Sequence, residues 1–276
     1  MPSIETLLRH AGLPGSPTPR LDAELLLAAA LGKPRSYLHT WPEREPAAEQ
    51  VAAFAGMLAR RQAGEPVAYI LGQQGFWSLD LEVAPHTLIP RADTELLVET
   101  ALELLPASEL HLLDLGTGTG AIALALAAER PRWQLLGVDR VSEAVALAER
   151  NRQRLGLANV RFAQSHWFAA LNGQRFAAII SNPPYIAADD QHLRQGDVRF
   201  EPRSALVAGP DGLADLREII RQAASHLEPG GWLLLEHGFE QAGEVRRLML
   251  ENGFAQPQSR CDLGGHERIS LGQWQV

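Results

Sequence analysis

The sequence predicts an α/β protein: a doubly wound sheet, preceded by a small N-terminal helical domain and joined to it by a β-hairpin. Three observations carry this reading. Beyond about residue 90, short apolar runs alternate with helical stretches, the pattern of strand and crossover helix. The glycine-rich turn Gly116-Thr117-Gly118-Thr119-Gly120 falls between one such run and the helix after it. Before about residue 75, apolar residues recur instead at helical spacing. The expected boundaries are 1–75 for the helical domain, 76–90 for the hairpin linker and 91–276 for the sheet domain.

In the front part, Ser3 is placed to cap a first helix reaching His10, which Gly12 and Pro14 end. A second helix runs from Arg20 to Leu31 and stops at Gly32-Lys33-Pro34. A third, from about Ala47 to Gln62, sets Val51, Phe54, Ala55 and Leu58 on one stripe. Val67 to Leu71 and Phe76 to Val83 alternate like two strands across Gly72-Gln73-Gln74-Gly75, and Ile89-Pro90-Arg91 closes the hairpin. A helix follows from Thr94 to Leu105.

Strands are expected at Leu110–Asp114, Gln134–Val138, Val160–Ala163, Phe176–Ile180 and Trp232–Glu236. Helices fall between them at Ala121–Arg130, from Ser142 as cap to about Leu155, and at Leu213–Leu227, with one more at Ala242–Glu251. Phe254–Arg260 and Arg268–Leu271 suit a terminal antiparallel pair.

Composition narrows the function. The 276 residues carry a formal charge of −8, which argues against a protein held on nucleic acid mainly by phosphate contacts. Residues 1–80 hold 7 Lys and Arg against 8 Asp and Glu, so the helical front is nearly neutral and suits partner docking. Cys261 is the only cysteine, which leaves no disulfide framework and reads as a small core residue. None of the nine histidines clusters at metal-ligand spacing, so no metal is expected. No basic segment followed by an apolar run opens the chain, and no apolar stretch is long enough to span a bilayer. A cytoplasmic protein that neither enters membranes nor binds nucleic acid directly is the expectation.

Two stretches carry chemistry. Ser181-Asn182-Pro183-Pro184-Tyr185 ends an apolar strand abruptly, because proline lacks an N–H and restricts the residue before it. What remains is a rigid platform: one side-chain amide, the Pro183 carbonyl, the Pro184 ring and an aromatic face. It suits a planar NH2 group, with Asn182 and Pro183 accepting its hydrogens and Tyr185 packing on its plane. The glycine turn, opening a helix, lets backbone approach a ligand closely. Asp139, 19 residues past Gly120, ends the next strand and can accept both ribose hydroxyls of an adenosine. Nicotinamide cofactors and S-adenosylmethionine both fit, and the G-x-G-x-G spacing leans toward the latter.

Together these residues resemble amino-group methyltransferases of the Rossmann-like class I fold. Ile89-Pro90-Arg91-Ala92-Asp93-Thr94-Glu95 and Gly196-Asp197-Val198-Arg199-Phe200-Glu201-Pro202, with the helical front, narrow the likeness to the HemK/PrmC family. The resemblance covers essentially the whole chain. It implies transfer of a methyl group from S-adenosylmethionine, leaving S-adenosylhomocysteine, to the glutamine amide of the Gly-Gly-Gln motif in class I peptide chain release factors. It also implies that Gly116, Thr117, Gly118, Thr119, Gly120, Asp139 and the aromatic Trp167 hold the cofactor, with Asn182 touching both cofactor and substrate. Pro183, Pro184 and Tyr185 complete the substrate and catalytic motif. His166 stands where the family usually has an acid, and Ala92-Asp93 replaces its usual Pro-Glu. The alternatives are an rRNA or DNA amino-methyltransferase, and a non-catalytic S-adenosylmethionine-binding module.

Overall fold

The computed structural model describes residues 1–275; Val276, the last residue of the expected sheet domain, lies outside the described residues. The chain forms two compact units, one of residues 1–73 with 191–200 and the other of residues 74–190 with 201 onward. The helical unit therefore takes in ten residues from far downstream.

In the helical unit, α1 (Ile4–Arg9) starts at Ser3, whose Oγ accepts the Thr6 N–H at 3.3 Å. Helix α2 (Pro19–Leu31) ends at Gly32, where φ is +62° and a left-handed cap is required. A short α3 (Arg35–Thr40) escapes the sequence reading because six residues are too few to show a period. In α4 (Ala48–Gln62), Phe54 is buried but Ala55 is exposed, so the expected stripe is narrower than its spacing implied. Ile4, Leu26, Leu27, Leu38 and Phe54 share the core.

Val67–Leu71 is a helical turn, α5, rather than the expected strand. Pro66 precedes it, Gly72 caps it at φ +71°, and Ala68, Tyr69 and Ile70 are buried in succession, which an alternating strand does not allow. The hairpin forms one step later, from β1 (Gln73–Phe76) and β2 (Leu79–Glu82). Phe76 and Leu81 join a core cluster of the sheet unit. Glu82 N–H donates to Asn151 Oδ1 at 2.7 Å, and Asn151 Nδ2 returns a bond to Glu82 O at 3.0 Å.

The sheet unit continues with α6 (Glu95–Leu104), entered through a 3-10 turn at Ala92–Thr94. Then come β3 (His111–Leu115), α7 (Ala121–Glu129), β4 (Gln134–Asp139), α8 (Ser142–Leu155), β5 (Val160–Gln164) and β6 (Phe176–Ser181). After α9 (Ala214–Ala223) follow β7 (Leu227–Glu236), α10 (Ala242–Glu251), β8 (Phe254–Cys261) and β9 (Glu267–Trp274). Among the described residues seven strands form one sheet in the order β5-β4-β3-β6-β7-β9-β8. Strands β3 to β7 are parallel, and β9 and β8 close the edge as an antiparallel pair.

Two local expectations change. Val141, not Ser142, is the N-cap of α8; Asp139 Oδ1 accepts the Val141 N–H at 2.9 Å and Ser142 turns to Glu143. Cys261 is exposed rather than buried, because it ends the edge strand β8 where the last turn begins.

The chain runs outward through β3, β4 and β5, then returns to β6 on the other side of β3, which makes a switch point between β3 and β6. Val138, Leu115, Ser181 and Leu235 pair across one level of the four strands β4, β3, β6 and β7. The residues immediately beyond that level are Asp139, Gly116, Asn182 and Glu236. Parallel pairing thus brings together four residues that the chain spreads over 120 positions.

Candidate active site

Beyond β3 the chain turns so that Gly116 and Thr117 N–H both donate to Val138 O at 2.9 Å. Gly116, Gly118 and Gly120 have φ of +70°, +56° and +85°, where side chains are strained. A Cβ on Gly116 would lie 3.2 Å from the Trp167 ring, and one on Gly120 2.9 Å from Leu124. Gly118 has open space around its Cα, so a ligand can approach the backbone there. Asp114, buried to 1% exposure at the end of β3, accepts from Thr117 Oγ1 at 2.6 Å and from Ala123 N–H at 3.3 Å. Burial pushes its carboxyl up to about 7, with the Thr117 and Ala123 bonds pulling the other way. It clamps the loop from beneath.

Asp139 accepts Gly118 N–H on Oδ2 at 3.0 Å and Val141 N–H on Oδ1 at 2.9 Å. Each oxygen keeps a second lone pair for a ligand hydroxyl. Trp167 is buried with φ of +46°, a conformation rare for an aromatic residue and concentrated at functional sites. Ser165 Oγ holds that turn by donating to Trp167 O at 2.8 Å and accepting Ala170 N–H at 3.1 Å.

On the other side, Ser181 Oγ donates to Leu115 O at 2.7 Å and ties the end of β6 to the glycine loop. Asn182 Nδ2 donates to Thr94 Oγ1 at 2.9 Å. Pro183 is buried beneath the platform. The Tyr185 hydroxyl donates to Glu236 Oε1 at 3.2 Å, while Gln241 Nε2 donates to Tyr185 O at 3.0 Å.

A crevice runs along these strand ends. Of the residues singled out in the sequence, Gly116, Thr117, Gly118, Thr119, Asp139, Trp167, Asn182 and Pro184 line it. Gly120, Pro183 and Tyr185 do not: Gly120 closes the packing of α7, and Tyr185 packs behind the platform against the second core cluster. The sequence reading assigned no site role to Thr94, Arg91, Leu88 or His86, which also line the crevice. For Arg91 and Thr94 the only signal was the stretch Ile89–Glu95, noted for its likeness and not for chemistry; His86 and Leu88 had none. Glu201 in the later stretch holds that segment, accepting Ile89 N–H at 3.1 Å and pairing with Arg91. Among the described residues no group of three or more His, Cys, Asp or Glu is arranged to hold a metal.

A glycine loop and an Asn-Pro-Pro-Tyr platform on neighbouring strand ends of such a sheet define a class I methyltransferase. Residues 106–261 match the family model of a methyltransferase domain, and residues 3–72 match that of the PrmC N-terminal domain. The chain belongs to the release factor glutamine methyltransferase family. It is 66% identical over 274 residues to the release factor glutamine methyltransferase of Pseudomonas aeruginosa, covering 99% of both chains. It is 50% identical to that of Escherichia coli, covering 95% of each. Among solved structures it resembles a methyltransferase from Pyrococcus furiosus at TM-score 0.56 and 18% identity, covering 80% of this chain and all of that one. A Thermus thermophilus 16S rRNA methyltransferase, in complex with AdoMet and guanosine, aligns at TM-score 0.53 and 20% identity over 74% of this chain and 50% of that one.

Proposed function

We propose that this enzyme methylates the side-chain amide nitrogen of the glutamine in the Gly-Gly-Gln motif of class I peptide chain release factors, a protein methylation that serves translation termination. One observation carries the reading. The glycine loop and Asn182 follow directly paired residues, Leu115 and Ser181, and line one crevice. A nucleoside methyl donor and an acceptor amide can therefore meet across a single strand spacing.

The residues fit S-adenosylmethionine. Gly118 leaves its backbone open, Asp139 offers carboxylate lone pairs where a ribose would lie, and Trp167 offers an apolar ring. When bound, that cofactor supplies a methyl group attached to a sulfonium, with no metal required. The protein's own part is alignment and charge. Asn182 Oδ1 and the Pro183 carbonyl accept the two hydrogens of the glutamine NH2 and hold its lone pair toward the methyl. Such alignment can supply up to about 7–11 kcal/mol of the barrier. Both acceptors strengthen as the nitrogen gains positive charge, so they favour the transition state over the ground state. The extra proton then leaves to solvent.

The helical unit, with its own core and its exposed Trp41, suits docking of the folded release factor. The setting is that of the substrate, the cytoplasm, and no helix among the described residues is long and apolar enough to cross a membrane. The test is incubation with methyl-labelled S-adenosylmethionine and, separately, release factor, tRNA, rRNA and DNA. Label on the release-factor glutamine alone is expected. Label on a nucleic acid, or binding of cofactor without transfer to any of them, would overturn the reading.

A further inference from the structure

A glutamine held at the platform carries polypeptide on both sides of it, and that polypeptide must lie somewhere on the sheet unit. The strand order limits where. Gly116 to Gly120, Asp139 and Trp167 follow β3, β4 and β5, on the side read as the cofactor's. A substrate segment leaving the platform on β6 therefore continues over the open side, past the ends of β7 and β9.

Two apolar side chains stand in solvent there. Phe239, just beyond β7, is 53% exposed, and Leu263, in the turn between β8 and β9, is fully exposed. Among the described residues of the sheet unit, Leu250 is the one other large apolar side chain left so open. Neither loop is slack. Gly238 N–H donates to Gln241 Oε1 at 2.8 Å, while Gln241 Nε2 donates to Tyr185 O at 3.0 Å and to Gly212 O at 3.3 Å. One side chain thus ties the Phe239 loop to the main chain of the platform. Asp262 Oδ1 accepts Gly264 N–H at 2.8 Å and His266 N–H at 2.9 Å, which closes the Leu263 turn.

Arg268, at the start of β9, joins both loops to the site. Its guanidinium lies over the Phe239 ring, 5.7 Å from the centroid, donates to Asp262 Oδ2 at 3.0 Å and pairs with Asp93 at 3.6 Å. Asp93 precedes Thr94, whose Oγ1 accepts Asn182 Nδ2. The His266 ring packs on Phe239 at 5.4 Å. An apolar surface therefore runs outward from the platform on a rigid frame. Leaving it in water forgoes the gain of burial, whereas a side chain already held in place loses little freedom when a partner covers it.

We propose that Phe239 and Leu263 form the docking surface for the substrate segment that flanks the methylated glutamine. This rests on the reading of Asn182 as the acceptor of the glutamine amide.

Reach and chemistry both fit that occupant. Strands β6, β7 and β9 are neighbours, so two spacings of about 4.8 Å separate the platform from β9. An extended chain advances about 3.3 Å per residue, which brings residues about three to five places from the glutamine onto the patch. Arg268, the cation at its centre, is already paired with two carboxylates, so the patch offers little to a nucleic-acid phosphate. What it offers is apolar contact to a polypeptide.

The experiment measures methylation of an intact release factor and of Gly-Gly-Gln peptides with about seven residues on both flanks, on one flank or on neither. Phe239→Ala should raise KM for the release factor and for the two-flank peptide by about 5–30-fold, the range for truncating an interface aromatic. Its kcat should change less than its KM, and calorimetric affinity for S-adenosylhomocysteine should stay within about twofold of wild type. Phe239→Trp should restore most of the loss, and Leu263→Ser should show a smaller rise in KM. The difference from wild type should vanish on the peptide without flanks, and the one-flank peptides show which flank lies on the patch. An unchanged KM in Phe239→Ala, or an equal loss on the peptide without flanks, would overturn the proposal. Should no peptide be turned over, p-benzoyl-phenylalanine at position 263 decides it. Photocrosslinks to the release factor within about eight residues of the glutamine are expected, and crosslinks elsewhere or none would overturn it. A wild type that sediments as a dimer, and as a monomer once Leu263→Asp is introduced, would give the patch to a second copy and overturn it too. A wild type that leaves the release-factor glutamine unmethylated would instead overturn the reading of Asn182 itself.

Discussion

The glycine loop and the Asn182 platform end neighbouring strands at the same level of the sheet, yet they are built in opposite ways. The loop is main chain from consecutive residues, Gly116 to Gly120, held by the Asp114 carboxylate beneath and the Asp139 carboxylate beside it. The platform is made of side chains from distant places, Asn182 held by Thr94, which lies 88 residues earlier, and Tyr185 held by Glu236, 51 residues later. A loop of main chain with fixed turns suits a ligand whose shape is constant. An amide whose direction must be chosen needs support from several elements. The comparison teaches that binding here is local while orientation is tertiary.

The sharpest way to break that division is Asn182→Ala. It should lower kcat by about 100–1000-fold, as removal of one group stabilising a developing charge does. S-adenosylhomocysteine affinity, measured by calorimetry, should change far less. A variant that instead loses cofactor affinity and keeps kcat would merge the two regions into one.

The converse experiment is Asp139→Ala. Each charge-assisted bond lost is worth about 1.5–3 kcal/mol, so cofactor affinity should drop by about 10–100-fold. Part of the loss comes from releasing Gly118 and Val141, whose N–H groups Asp139 now accepts. Equal affinities in a titration of the two proteins would remove Asp139 from the cofactor side.

A third variant tests the packing on which the loop depends. Gly137, in β4, has no room for a Cβ: one would fall 2.5 Å from the Phe162 ring and 2.7 Å from Thr117 Oγ1. Gly137→Ala should cost about 1–3 kcal/mol of stability by overpacking, read from denaturant midpoints. It should weaken cofactor binding more than it alters the platform.

A fourth prediction concerns the pH dependence set by Asp114. Its folded carboxyl titrates near 7, above the usual 3.8, so the folded state holds the proton more tightly. Its contribution to stability is therefore complete below about 3.8 and is lost as pH rises through about 7, by at most about 1.4 kcal/mol per pH unit. Asp114→Asn should flatten the fall in stability between pH 5 and 7. Glu236 is raised in the same direction, so some of the slope should remain.

Much of this protein is determined by its sequence alone, wherever the cause lies within a few residues. Strand and helix alternate because apolar runs and caps follow one another locally, and the sheet domain was legible for that reason. The glycine turn, Asp139 and the Pro183-Pro184 stop likewise declare themselves, since glycine and proline act on their own backbone. Tertiary structure decided what depends on neighbours. Val67–Leu71 alternates well enough for a strand, but its place in the fold buries three successive residues and makes it helical. Ser142 looks like a cap, yet the helix starts one residue earlier: Asp139 holds the Val141 N–H, and Val141 O accepts from Ala144 and Val145. Asp197 follows the platform in the chain but belongs to the helical unit, where buried Arg61 binds it at 2.7 Å and Asp22 also at 2.7 Å. Thr94 and Glu236 carry no local mark at all, because each meets its partner, Asn182 or Tyr185, only across the fold. Those contacts exist only once the sheet aligns residues that the chain keeps far apart.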